Sequence, residues 1–292
     1  MIRPALRDRE LLQDIAAAAA LPGLHLWWLG QSGFLVQCQG RHLLLDPYLS
    51  DSLTAKYANS DRPHVRMTER TLAPEALGFV DLVTSSHNHT DHLDAETLGP
   101  ILAARPGLPL VIPEANRAFV RERLGDGAEL LGLNDGETLE VAGFTLRGVA
   151  SAHEALERDD AGRCRYLGYL VHRGPWTIYH SGDTVRYPGL AERLRPFQPD
   201  LALLPINGRA PERQVSGNLD GPEAAELARD IAARLVIPCH YEMFTFNTAS
   251  PEAFVARAEA LGQGYRVLRA GERWSSGEPG PGGGGEAPDG SR

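Results

Sequence analysis

The sequence has 292 residues, of which 42% are hydrophobic and 23% charged, with a mean hydropathy of −0.26. That composition suits a water-exposed globular chain of one large or two small domains, and no apolar run is long enough to span a bilayer, which excludes a membrane-spanning protein. With 29 basic against 38 acidic residues the net charge is −9, without the electrostatic footprint of a nucleic-acid binder but with room for a local basic pocket that takes a small anion.

In chain order, residues 4–21 read as a helix stopped by Pro22 and Gly23. Strand-like runs follow at 24–29, 33–37 and 41–46, with Gly30 and Gly40 at the turns between them. Residues 47–75 are polar and proline-bearing and read as a long loop, a feature usually functional or disordered in a compact domain. A buried strand at 79–85, a helix at 93–104, a short strand at 110–112 and a helix at 114–124 complete the first half. From residue 137 strands return, at 138–141, 144–149, 166–173 and 176–180. Helices at 189–195, 222–233 and 251–261 then alternate with strands at 201–205, 235–238 and 265–268. Each half thus runs strands first and then alternates strands with helices. The pattern predicts an α/β fold of two mixed β-sheets packed face to face with helices on the outer faces. One domain is expected over residues 1–276, of which 1–23 form a helical extension. The Gly/Pro-rich stretch 277–292 is expected to be a disordered tail.

Cys38, Cys164 and Cys239 are too few and too irregularly spaced for a disulfide framework, so a reducing, cytoplasmic home is expected. The apolar patch at 16–20 follows Asp8, Glu10 and Asp14, where a secretory signal would be positively charged. Lys56 is the only lysine among the 29 basic residues. GC-rich coding accounts for the arginine bias, and a surviving lysine marks either chance or a need for a compact ammonium.

The chemistry concentrates directly after the strand at 79–85. His87-Asn88-His89-Thr90-Asp91-His92 places three histidines and an aspartate within six residues. Imidazole and carboxylate are ligands for first-row metals, and a tight turn aims side chains from both ends of such a segment at two nearby points. His153, Asp183 and His240 each stand just past an apolar strand, where open sheets expose site residues.

This set resembles the metallo-β-lactamase-fold superfamily over about residues 24–275. Within it the chain looks most like the branch containing L-ascorbate-6-phosphate lactonase. The carrying features are Trp28-Leu29-Gly30-Gln31, Asp46-Pro47-Tyr48, His180-Ser181-Gly182-Asp183 and Ile237-Pro238-Cys239-His240. The resemblance implies an αββα sandwich with a binuclear metal site. His87, His89 and His153 would hold one ion and Asp91, His92 and His240 the other, with Asp183 bridging. Two divalent ions are expected, zinc first, with manganese and iron compatible with the same donors.

Two ions about 3.5–4 Å apart share a hydroxide that exists at neutral pH and attacks a carbonyl or phosphoryl centre. Asp91 and Asp183 are accordingly the catalytic candidates, Asp91 orienting the nucleophile. Ser181 lacks a nucleophile elbow. Asp46 and Glu154 are candidates to orient the ligand histidines, with turn or capping roles the alternative. Gln31 is expected near the site, and Cys239 in the core on the face opposite His240. Lys56, Tyr57 and Arg66 on the long loop and Asn207, Arg209 and Tyr241 near the other strand ends are the substrate-contact candidates, Arg209 foremost, since arginine and lysine suit a phosphate or carboxylate.

The expected function is a metal-dependent hydrolase of a small, anionic, phosphorylated or plain lactone or ester. A binuclear phosphodiesterase is the alternative and a non-catalytic metal-binding protein a distant third. A flavin-dependent diiron protein is disfavoured, because His89 stands where that branch has a carboxylate and no flavin domain is present. No nucleic-acid or membrane partner is expected, and a homo-oligomer stays open.

Overall fold

The computed structural model describes residues 1–209 and 217–277. The tail expected at 277–292 falls, beyond Gly277, outside the described residues. Two sheets form the body. The first contains β1 (Leu24–Gly30), β2 (Gly33–Cys38), β3 (Arg41–Leu45), β4 (Leu82–Thr84), β5 (Pro109–Pro113) and β6 (Glu129–Leu133) in that order. The second contains β7 (Thr138–Val141), β8 (Phe144–Ala150), β9 (Leu167–Arg173), β10 (Trp176–His180), β11 (Leu201–Pro205) and β12 (Leu235–Cys239). β13 (Arg273–Ser275) returns to pair antiparallel with the outer edge of β1.

Both sheets are mixed in the same sense. β1 to β3 pair antiparallel and β3 to β6 parallel. β7 to β10 pair antiparallel and β10 to β12 parallel. The two-residue period of the strands sorts side chains between two cores. Leu26, Trp28, Phe34, Val36, Leu43 and Leu45 face inward and share one cluster with Leu146, Tyr169, Leu170 and Leu203 of the second sheet. Trp27, Leu29, Leu35 and Leu44 face the other way, against helices α1 (Asp8–Ala18) and α3 (Ala95–Ala104). α1 is therefore part of the packed body: Leu11 and Ile15 are buried, and Trp27 Nε1 donates to Asp14 at 2.8 Å.

The expected loop at 47–75 contains the short helix α2 (Ser52–Lys56). α4 (Arg117–Leu124) follows β5, α5 (Leu190–Leu194) follows β10, and α6 (Gly221–Asp230) and α7 (Glu252–Leu261) flank β12. Two strand expectations need correction. Residues 265–268 form only an isolated bridge, Tyr265 to Val236, and the closing strand is β13. β6 was not expected, because it borders the sheet and only its last residue is buried, which leaves no apolar alternation to read.

Candidate metal centre

The segments that leave β1, β3, β4, β8, β10 and β12 converge at one edge of the sandwich. Gln31, Asp46 and His240 each follow a strand directly and hold φ of 52°, 39° and 64°. Such left-handed backbone at non-glycine residues is uncommon and clusters at functional sites. Here it swings each side chain off the strand line and into the centre. Gly182, at φ 57°, lets the two sheets approach: a Cβ there would stand 2.6 Å from Ser86 Cβ.

All seven residues of the expected ligand set meet. Ligand-type atoms of His87, His89 and His153 lie within 4.8 Å of one another, as do those of Asp91, His92, Asp183 and His240. Asp183 faces both groups: Oδ1 is 3.4 Å from His92 Nε2, and Oδ2 is 3.5 Å from both His153 Nε2 and His240 Nε2. Asp91 Oδ2 lies 3.5 Å from His240 Nε2. The Nε2 atoms of His87 and His92 and Oδ1 of Asp183 are buried without a hydrogen-bond partner. Buried polar atoms are rarely left so, and several of them converging at one point fit a metal centre.

The histidines are oriented from behind. His92 Nδ1 donates to Asp46 Oδ2 at 2.7 Å, and Ser86 N donates to Asp46 Oδ1 at 2.9 Å. His153 Nδ1 donates to Gly217 O at 2.9 Å. Because a carbonyl only accepts, His153 keeps its proton on Nδ1 and turns Nε2 toward Asp183. Gln31 Nε2 donates to Asp91 Oδ2 at 2.8 Å and lies 3.0 Å from His240 Nε2. Burial and the neighbouring His92 push His87 well below the usual histidine range. Burial lowers His89 as well. It also opposes charge on Asp91, His92, Asp183 and His240, but among these four mutual attraction wins. Asp183 and Asp91 hold His240 up to about 9, and His92 is raised as well. The histidines in turn hold both carboxyls well below their ordinary range.

A cavity of about 620 Å³ opens over the centre. Among the candidate substrate contacts, Lys56, Tyr57 and Asn207 line it, and Arg66, Arg209 and Tyr241 do not. Arg209 instead forms a two-pronged pair with Glu223 at 2.6 and 2.7 Å, in the first turn of α6. Arg66 donates to Asp51 at 2.6 Å and to Ser50 O. Tyr241 is buried, stacks on Trp28 at 4.3 Å and donates its hydroxyl to Leu268 O. Of the two residues expected behind the histidines, Asp46 is there, while Glu154 points to solvent. Cys239 lies in the core as expected.

Tyr57 apart, sequence reading missed much of the cavity wall. Tyr57, His64, Phe244 and Phe246 line it as a connected aromatic group, with Tyr57 stacked on His64 at 4.4 Å and Phe246 edge-on to His64 at 4.5 Å. Arg62, Arg123 and Asn218 line it too. Arg123 also donates to Asn88 O and Leu93 O at 3.1 and 3.0 Å, which clamps the loop that carries His87 to His92. No local motif announces these residues; Phe244 and Phe246 stand out only by following His240.

The model of the beta-lactamase superfamily domain matches residues 25–240. The UPF0173 metal-dependent hydrolase of Methanosarcina mazei is 28% identical over 242 residues, 81% of this chain and 91% of the relative. Among solved structures, a metallo hydrolase from the archaeon Ignicoccus hospitalis superposes with a TM-score of 0.63 at 21% identity, over 86% of this chain and 97% of its own. Isothiocyanate hydrolase from Delia radicum gut bacteria superposes with a TM-score of 0.67 at 20% identity, over 86% and 98%. Both structures share the fold.

Proposed function

The chain belongs to the beta-lactamase superfamily, and from that premise we propose that it is a metal-dependent hydrolase of a small anionic lactone or ester, working with two divalent ions. The observation that carries this reading is Asp183, whose one carboxylate faces His92 on one oxygen and His153 and His240 on the other. His87, His89 and His153 would hold one ion and Asp91, His92 and His240 the second, with Asp183 shared. The nitrogen-rich donor set favours zinc, with manganese and iron compatible. Bound there, the ions supply Lewis acidity and bring the pKa of water to about 7.

The chain's own residues do the rest. Gln31 N–H holds the Asp91 carboxylate in place. Lys56, Arg62 and Arg123 line the cavity, and the only carboxylates among its described lining residues are Asp91 and Asp183. In a chain of net charge −9, that is a local cationic funnel, which draws an anionic substrate. Neither Ser181 nor a cysteine competes as nucleophile: the Ser181 hydroxyl donates to Gly182 O at 2.7 Å, and all three cysteines are buried. The likeness at Trp28 to Gln31 and Asp46 to Tyr48 is to the lactonase branch and bears on the branch, not on the substrate. Three free thiols support a cytoplasmic setting.

The test is turnover by metal-reconstituted protein of a phosphorylated sugar lactone beside a generic phosphodiester. Opening of the lactone is the expected result. Cleavage of the phosphodiester alone, or of neither, overturns it.

A further inference from the structure

One residue of the cavity stands apart from the ligand set and from the cationic rim. Asn218 is fully buried, lines the cavity and, among the described residues, has no hydrogen-bond partner for either atom of its side-chain amide. Because both Nδ2 and Oδ1 are unpartnered, the ambiguity between amide nitrogen and oxygen does not touch the point. Its burial is no obstacle to ligand contact, since Asp183 and His240 on the same lining are only 3% and 1% exposed.

The backbone around it is fixed. Asn218 N donates to Gly208 O at 3.2 Å, Leu219 N to Thr184 O at 2.8 Å, and the preceding carbonyl, Gly217 O, holds His153. The amide is therefore held beside the metal-binding histidine by the same short segment. A buried carboxamide without partners is destabilising, and a fold retains one where a ligand completes it.

We propose that Asn218 binds the substrate through a group that both donates and accepts a hydrogen bond, a hydroxyl or a carboxamide next to the scissile carbonyl. A carboxylate or phosphate answers only the N–H side and opposes the Oδ1 lone pairs. The substrate's anionic group therefore goes to the Lys56 side of the cavity and its neutral polar group to Asn218. This deepens the hydrolase reading and rests on it for the identity of the scissile group.

The experiment compares γ-butyrolactone with its α-hydroxy and α-acetamido derivatives, on wild-type protein and Asn218→Ala, all metal-reconstituted. Wild type is expected to favour a substituted lactone over the bare one by about tenfold to a hundredfold in kcat/KM, and Asn218→Ala to lose that preference. The preferred derivative identifies the group. A preference that survives in Asn218→Ala, or none in wild type, overturns the inference. A second arm needs no turnover. Asn218→Leu removes the unmet amide at similar volume, so its Tm should rise by about 2 °C or more. Wild type, but not Asn218→Ala, should gain more Tm from 2,4-dihydroxybutyrate than from 4-hydroxybutyrate. A fall in Tm for Asn218→Leu, or equal gains from the two acids, also overturns it. Failure of wild type to open any lactone counts against the hydrolase reading, and the thermal arm still decides Asn218.

Discussion

The parallel pair β3–β4 carries a buried aspartate at each end, and the two are used in opposite ways. At the end where β3 starts, Asp81 N donates to His42 O at 2.9 Å, and the Asp81 carboxylate accepts from His42 N, Arg41 and Arg105 at 2.9, 3.0 and 3.2 Å. At the other end Asp46 N donates to Thr84 O at 3.2 Å, and its carboxylate accepts from Ser86 N and from His92, whose far nitrogen has no partner. Asp81 closes its network on two cations and ties strands to the end of α3. Asp46 instead bonds an imidazole whose unpartnered Nε2 faces the candidate metal centre. A carboxylate alone therefore says little about role. What marks function is whether the chain of hydrogen bonds beyond it ends satisfied or ends on orphan atoms.

The largest effect expected is at the shared carboxylate of the open end. Asp183→Ala removes the one group that faces both ligand sets, and should lower kcat/KM by about a thousandfold or more and empty both metal positions. Metal content by mass spectrometry after dialysis, read beside turnover, checks this. Retention of two equivalents of metal in the variant would break the assignment of Asp183 as the shared ligand.

A smaller loss is expected one step back. Asp46→Asn keeps the shape but removes the charge behind His92, and should weaken metal binding or turnover by about ten- to a hundredfold. The comparison sharpens if Asp81→Asn, a charge removal at the other end of the same strands, leaves metal affinity unchanged in the same titration. Equal effects from both substitutions would dissolve the distinction between the two ends.

The open end was legible in sequence because its parts are type-restricted and lie at strand ends. His87 to His92 is a local word, and His153, Asp183 and His240 follow apolar runs that predict strands. Asp46 and Gln31 were legible for the same reason, though not the backbone twist that turns them inward. Of the cavity walls, Lys56, Tyr57 and Asn207 were legible and the rest were not. Arg209 and Arg66 look like anion-binding residues until the fold supplies Glu223 and Asp51 as nearer partners. Tyr241 adjoins His240, yet its ring belongs to the core beside Trp28. Asn218 and His64 depend on segments folding back over the centre, a long-range arrangement that no local pattern encodes. β6 was missed because its burial is partial, and β13 because three residues carry too little period to read.

The closed end gives the smallest and most specific prediction. Burial raises the Asp81 carboxyl, but the His42 N–H and the Arg41 and Arg105 guanidiniums outweigh it and hold the group below its ordinary range. A depressed carboxyl stabilises the fold above the ordinary carboxylate pKa and loses that contribution as pH falls through its folded value. Asp81→Asn should therefore cost about 1–3 kcal/mol near neutral pH, seen as a lower Tm. The gap from wild type should close on acidification below about pH 4. Metal should not change that gap, because Asp81, His42, Arg41 and Arg105 are neither in the candidate ligand groups nor on the cavity lining. Thermal melts across pH with and without chelator decide it. A gap constant with pH would mean that packing, not charge, is what Asp81 contributes, and a gap that depends on metal would mean that the two ends of β3–β4 are coupled.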